Sequence, residues 1–260
     1  MDSLKSEHTK EQYQIHWDRY QKIEPTQSKK DTKLIEDNII SYLMQMKAEG
    51  LSHSYRNSAF SAIKHHYTTM ERRLVLNWEI IAKLLQEKTF DNEIRGYTRE
   101  EIASLVSISD IKYKAVILTL ASTGMRREAL VQINPTTDME YIERYKLYKI
   151  RIYRKTKCEQ ICHTTPEAAQ AIDLYLQMKK ADDGHEELFY FKTAKKLTMT
   201  LRQIQIRSGV SKEHTTGGEK PGQSRNAIPA VHGLRKFTIT QMSKAKVDTE
   251  IAKILTGHFN

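Results

Sequence analysis

The chain has 260 residues, enough for two modest domains or one large one. Hydrophobic residues at 39% beside charged residues at 28% make a globular balance, which excludes wholesale disorder and a fibrous rod. Lysine and arginine number 42 against 32 aspartates and glutamates, and the net charge of +10 points to a polyanionic partner, either nucleic acid or an acidic membrane face.

The first part of the sequence reads as short amphipathic helices. One is expected over residues 9–22, with Tyr13, Ile15, Trp17 and Tyr20. A second follows from Leu34, Ile35, Ile39, Leu43 and Met46, which recur at three- and four-residue steps, with Gly50 as a C-terminal stop. The next starts near Ser52 or Ser54; there Tyr55, Ala59, Ala62, Ile63 and His66 form the predicted apolar stripe, and Arg56 and Lys64 fall on its polar side. A fourth carries Leu76, Trp78, Ile80, Ile81, Leu84 and Leu85. Together these predict a helical domain over residues 1–94, with a linker at 90–96 leading into a second domain over 95–260.

The second part opens on Thr98 followed by Glu101, a capping box ahead of Ile102, Leu105 and Val106. IKYKAVILTLAST is a strongly apolar helix, expected at the centre of its domain. From 141 to 163 the period changes to two: Tyr148, Ile150, Ile152 and Ile161 alternate with Lys149, Arg151 and Arg154, so strands are predicted, with KTKCEQ as the hairpin tip. Thr165, Pro166 and Glu167 begin another helix, the proline in its first turn. Residues 211–229 read as a Gly-, Ser- and Pro-rich loop, one expected to be mobile or to contact a partner.

Charge is unevenly shared. Residues 1–95 hold 15 basic and 14 acidic side chains, whereas residues 96–260 hold 27 and 18, so the basic character belongs to the second domain. The longest apolar run, near 115–121, is too short to cross a bilayer, and the start MDSLKSEHTKEQ lacks the apolar core of a secretory signal. An intracellular, membrane-free protein is expected. Cys158 and Cys162 exclude a disulfide scaffold and, with only His163 beside them, read as small strand residues rather than metal ligands.

Several polar residues stand where packing does not require them: Arg126 and Arg127 in ASTGMRREAL, Lys155 and Lys157 in YRKTKCEQ, His232, Arg235 and Lys236 in VHGLRKF, and His258 in ILTGHFN. Gly124 before the arginines permits close approach of a ligand, and His232 and Arg235, three apart, share one helix face. If they converge, guanidinium forks would grip phosphate oxygens and imidazoles would move protons near neutral pH.

With these residues in view, the sequence resembles the tyrosine recombinase family, the phage-type integrases, and most of all its archaeal members. TGMRREAL is similar to the segment carrying the family's first arginine, here Arg126; HGLRKF to its H-x-x-R box, His232 and Arg235; LTGH to its third box, His258; and the hairpin to the segment bearing its lysine, Lys157, with Lys155 as the other candidate. The intervals agree: 31 residues from Arg126 to Lys157, 106 from Arg126 to His232, 3 more to Arg235 and 23 more to His258.

The resemblance implies a mainly α fold with a small antiparallel β-sheet: an N-terminal helical, SAM-like core-binding domain and an α+β recombinase catalytic domain. It implies cleavage and rejoining of duplex DNA through a 3′-phosphotyrosine, without metal, cofactor or small-molecule substrate, by a homotetramer on paired DNA sites such as those of a mobile genetic element. By resemblance, Arg126 and Arg235 clamp the phosphate, Lys157 protonates the leaving oxygen, His232 is the base toward the nucleophile and His258 bonds a phosphate oxygen. Arg56, Lys64, Arg127, Lys155 and Lys236 are the expected DNA contacts.

Two features depart from the family pattern. The acidic residue usual three positions after the first arginine is replaced by Ala129, with Glu128 one place early. The family's nucleophilic tyrosine follows the third box, whereas no tyrosine follows Tyr190 here, which implies either truncation or a relative that binds recombination sites without cleaving.

Overall fold

The computed structural model describes residues 7–22, 31–69, 75–85, 95–179, 184–210 and 228–256, which group into two compact units, the described residues up to 85 in the first and those from 95 onward in the second. All but the last two residues of the predicted 211–229 loop, most of the 90–96 linker and His258 lie outside the described residues.

The first unit contains α1 (Glu7–Gln21), α2 (Thr32–Ala48), α3 (His53–Thr69) and α4 (Trp78–Leu85). Asp31 caps α2 by accepting from the amides of Lys33 and Leu34, and Gly50 beyond its end takes a positive φ of 75°. The core is formed by Tyr20, Ile35, Ile39, Tyr42, Met46, Ile63 and their neighbours, and it buries the predicted α2 stripe except Leu34, which stays exposed.

The α3 stripe buries Ala59, Ala62 and Ile63 as expected, but it differs from the expectation at its ends. Tyr55 is exposed, whereas Arg56 is buried at 3% exposure together with Phe60, Ile63 and Tyr67. The large ring of Phe60 takes the inward position, and the helical period then carries Arg56, one turn before it, inward as well. Arg56 is therefore not on the polar side of its helix, while Lys64 is, exposed beside the Trp78 ring.

The second unit runs α5 (Arg99–Ser107), α6 (Ile111–Thr123), α7 (Arg127–Leu130), α8 (Pro135–Asp138), β1 (Met139–Ile142), β2 (Leu147–Ile152), β3 (Gln160–His163), α9 (Pro166–Met178), α10 (Ala194–Arg207), α11 (His232–Lys244) and α12 (Thr249–Thr256). The Thr98–Glu101 capping box forms with both of its hydrogen bonds. Thr165 caps α9 with Pro166 in the first turn. Helix α6 is central as expected, packing on α5, α9, α11 and β3, with Val116, Ile117 and Leu120 fully buried. The sheet is antiparallel in the order β1-β2-β3, so a mainly helical fold with one small antiparallel sheet is what forms.

The register of β3 differs from the expected alternation. Ile150 pairs with Cys162 and Ile152 with Gln160, both pairs inward, while Ile161 opposite Arg151 faces out. In an antiparallel pair the partner's face decides, and a shift of one residue exchanges every side chain between core and solvent. Cys162 is therefore a core residue, and burial pushes its thiol up to about 12. Cys158 lies exposed in the hairpin tip rather than on a strand.

Candidate active site

The site is assembled around the C-terminal end of α6. Its C-cap, Gly124, adopts left-handed φ of 63°, a conformation glycine takes without strain, and the chain turns so that Arg126 becomes the N-cap of α7. Arg126 lies exposed on this turn, extended rather than helical.

Helix α11 fixes that turn from the other side. Thr238 donates from Oγ1 to the Ala121 carbonyl at 2.8 Å, and Arg235 donates from Nη1 to the Gly124 carbonyl at 2.5 Å. Arg235 is 5% exposed, and burial, then the charge of Arg126, pushes its guanidinium below its ordinary value. A buried cation is thus held near an exposed one, which is costly alone and favourable once an anion sits between them.

Glycines make this arrangement possible. A Cβ on Gly233 would stand 2.8 Å from both Ile228 Cγ2 and Tyr97 Cε2, and one on Gly96 would stand 2.8 Å from the Phe237 backbone nitrogen. Tyr97 completes the seam: its hydroxyl donates to the Ala230 carbonyl at 3.0 Å. The start of α11, and with it His232, is thereby fixed against the segment entering α5.

Met125, Arg126, Glu128, His232 and Arg235 line one cavity of about 400 Å³. Arg127 lines it too but is turned aside, donating from Nε to Glu128 at 2.6 Å and from Nη1 to Thr198 Oγ1 at 3.0 Å. The lone acidic residue near the arginines is therefore occupied by its own neighbour. Burial, with the positive charges of Lys236 and Arg235, holds the His232 imidazole below its usual value and so disfavours its protonated form.

The hairpin bearing the lysines begins at Tyr153, which packs on the core and takes a positive φ of 55°. Burial raises the phenol's pKa, and the positive charges of Arg126 and then Arg235 oppose that rise. Tyr153 was not among the residues expected at the site, since nothing in the alternating strand pattern distinguishes it. The turn is tied by Thr156 Oγ1 donating to the Tyr153 carbonyl at 2.7 Å and by the Lys155 amide donating to Glu159 at 3.0 Å. Lys155 and Lys157 are both exposed on this tip.

Helix α12 carries the chain toward the third box. Buried Gln160 on β3 donates from Nε2 to the carbonyls of Ile254 at 3.0 Å and Leu255 at 2.6 Å, so the last turn of α12 is fastened to the strand that carries Cys162. Of the five residues expected to act on a phosphate, the structure brings Arg126, His232 and Arg235 to one cavity, sets Lys157 on the tip, and leaves His258 outside the described residues. Among the described residues, no group of three or more histidine, cysteine, aspartate or glutamate side chains could hold a metal.

The family model for the phage integrase family matches residues 96–260, and the chain belongs to that family. Among solved structures it is similar to the Tn1549 transposon integrase in complex with circular intermediate DNA (16% identity, 99% of this chain and 87% of that one, TM-score 0.71). It is likewise similar to a lambda integrase dimer bound to a COC′ core site (13% identity, 98% and 89%, TM-score 0.71) and to the XerH site-specific recombinase bound to a palindromic difH substrate (14% identity, 97% and 73%, TM-score 0.70). At these identities the likeness is one of fold. No curated protein sequence matches the chain.

Proposed function

We propose that this chain binds duplex DNA and activates one phosphodiester for site-specific strand cleavage and rejoining. The observation that carries this reading is the convergence of Arg126, His232 and Arg235 on one cavity. A tyrosine hydroxyl attacks the phosphorus, a 3′-phosphotyrosine bond forms, and the bond to the 5′-oxygen breaks. His232 takes the tyrosine proton, and Lys157 or Lys155 supplies one to the departing 5′-oxygen. Arg126 and Arg235 stabilise the charge that accumulates on the non-bridging oxygens, and His258 adds a further hydrogen bond.

The nucleophile is the tyrosine that the family places after the third box, a position for which this sequence offers no residue up to Asn260. Lys64, Arg127, Lys155 and Lys236 contribute phosphate contacts, and a homotetramer on two paired sites is the working assembly. Arg56, being buried, contributes to the packing of its own helix rather than to that surface.

The test is a covalent-adduct assay on a nicked duplex, using the reading frame expressed through its natural stop. A protein–DNA band lost in Arg126→Ala and in Arg235→Ala supports cleavage. Specific duplex binding without any adduct identifies the chain as a non-cleaving occupant of recombination sites. Equal loss of binding and of adduct in Arg126→Ala would overturn its assignment to the chemistry.

A further inference from the structure

A larger cleft of about 1340 Å³ adjoins the cavity that holds the arginines, and His232 lines both. One wall is the segment entering α5, with Arg99 and Glu100; the other is the outward face of α11. On that face His232, Lys236, Thr240 and Lys244 recur every four residues, and all line the cleft. Leu234, Arg235 and Thr238, on the opposite side of the helix, are buried.

Successive members of such a row stand about 6 Å apart along the helix. A nucleotide rises about 3.4 Å along the duplex axis, and the winding of the backbone lengthens the path between phosphates toward that same step. The row offers an imidazole, two ammonium groups and a hydroxyl, all able to donate to phosphate oxygens. Arg99 faces it, and the one carboxylate in the lining is Glu100. Arg95 also lines the cleft, but Glu101 already engages it through two bonds of 2.5 and 2.7 Å.

The two walls are fixed relative to one another. Gly96 runs so close to α11 that an added Cβ would meet the Phe237 nitrogen and the Lys236 carbonyl carbon, and the Tyr97 amide donates to the Gly233 carbonyl at 3.4 Å. The cleft is thus formed before any ligand enters, so little ordering opposes binding.

We propose that this cleft is a second phosphate track, taking the sugar-phosphate backbone that continues from the reacting phosphate, with Lys236, Thr240 and Lys244 as successive contacts and Arg99 from the facing wall. The proposal rests on the DNA reading above and deepens it. His232 is the junction: one strand reaches the arginine cavity at the start of α11 and runs along the helix toward its C-terminal end. Glu100 opposes the strand and tempers its affinity.

Fluorescence anisotropy of the whole chain with a labelled duplex, measured across a salt series, tests this. Arg99→Ala and Lys244→Ala are each expected to weaken binding several-fold and to lower the slope of log K against log salt by about 0.9, the loss of one phosphate contact. Glu100→Gln is expected to tighten binding about twofold, since an exposed, screened charge contact contributes little, an outcome a misfolded variant would not give. Wild-type affinity and slope in Arg99→Ala and Lys244→Ala, with duplex still bound, would overturn the track and leave the DNA reading intact. Failure of the wild-type chain to bind duplex, or tighter binding of single-stranded RNA, would overturn both.

Discussion

Arg235 donates to the carbonyl of Gly124 at 2.5 Å, and in doing so it holds the turn from which Arg126 projects. One arginine of the pair is thus a buried strut as well as a phosphate ligand, and the other is a ligand on an exposed turn. The two are chemically alike and differ in what their loss would remove.

Arg235→Ala is expected to destabilise the second unit by about 2–3 kcal/mol, because a buried charge-assisted hydrogen bond is lost and the Gly124 carbonyl is left unpaired. Arg126→Ala should change stability by less than about 0.5 kcal/mol, as exposed substitutions generally do. Urea unfolding of the two variants checks this, and equal destabilisation would contradict the strut.

The seam between α11 and the segment entering α5 tolerates no side chain at Gly233. Gly233→Ala would press a methyl against Ile228 and Tyr97 at 2.8 Å. Overpacking of this kind costs about 1–3 kcal/mol. Duplex binding should weaken as well, since His232 and Arg235 flank the shifted residue. Thermal unfolding and anisotropy measured together would show both effects, and an unchanged Tm would refute the close packing.

Gln160 is expected to be the fastening of α12. In Gln160→Leu the carbonyls of Ile254 and Leu255 lose their donor. Hydrogen exchange across residues 249–256 should then accelerate at least tenfold, while exchange in α6 stays slow. Uniform acceleration in both helices would mean that Gln160 supports the whole unit instead.

The imidazole of His232 should titrate below 6.5, its ordinary value, because burial and then the charges of Lys236 and Arg235 disfavour the protonated form. The folded state therefore binds fewer protons than the unfolded one just below pH 6.5, so this histidine's contribution to stability is intact above that pH and falls as the pH drops toward its folded value. An NMR titration of the His232 ring checks the direction. Lys236→Ala should raise the midpoint toward 6.5, and an unmoved midpoint would remove Lys236 from the cause.

Much of the site can be read from the order of residues alone. The Thr98 capping box, the apolar helix at 111–123, the hairpin between β2 and β3 and the proline opening α9 follow from short-range periodicity and capping chemistry, which act within a turn or two of chain. The spacing of Arg126, His232, Arg235 and His258 is likewise a property of the sequence, and it carries the family resemblance.

What only the tertiary structure decided are the choices between near-equal local alternatives. The stripe of α3 could turn toward Tyr55 or toward Arg56 and Phe60, and contact with the other helices of its unit settled on the latter pair. Strand β3 could present Ile161 or Cys162 to the core, and its pairing with β2 placed Cys162 inside. The meeting of Arg126 with Arg235, the engagement of Tyr153 by Arg126, and the row from His232 to Lys244 along the cleft depend on segments far apart in sequence. Helical and strand periods set which faces a segment can offer; burial against distant partners selects the face, and that selection placed the cations around two adjoining hollows.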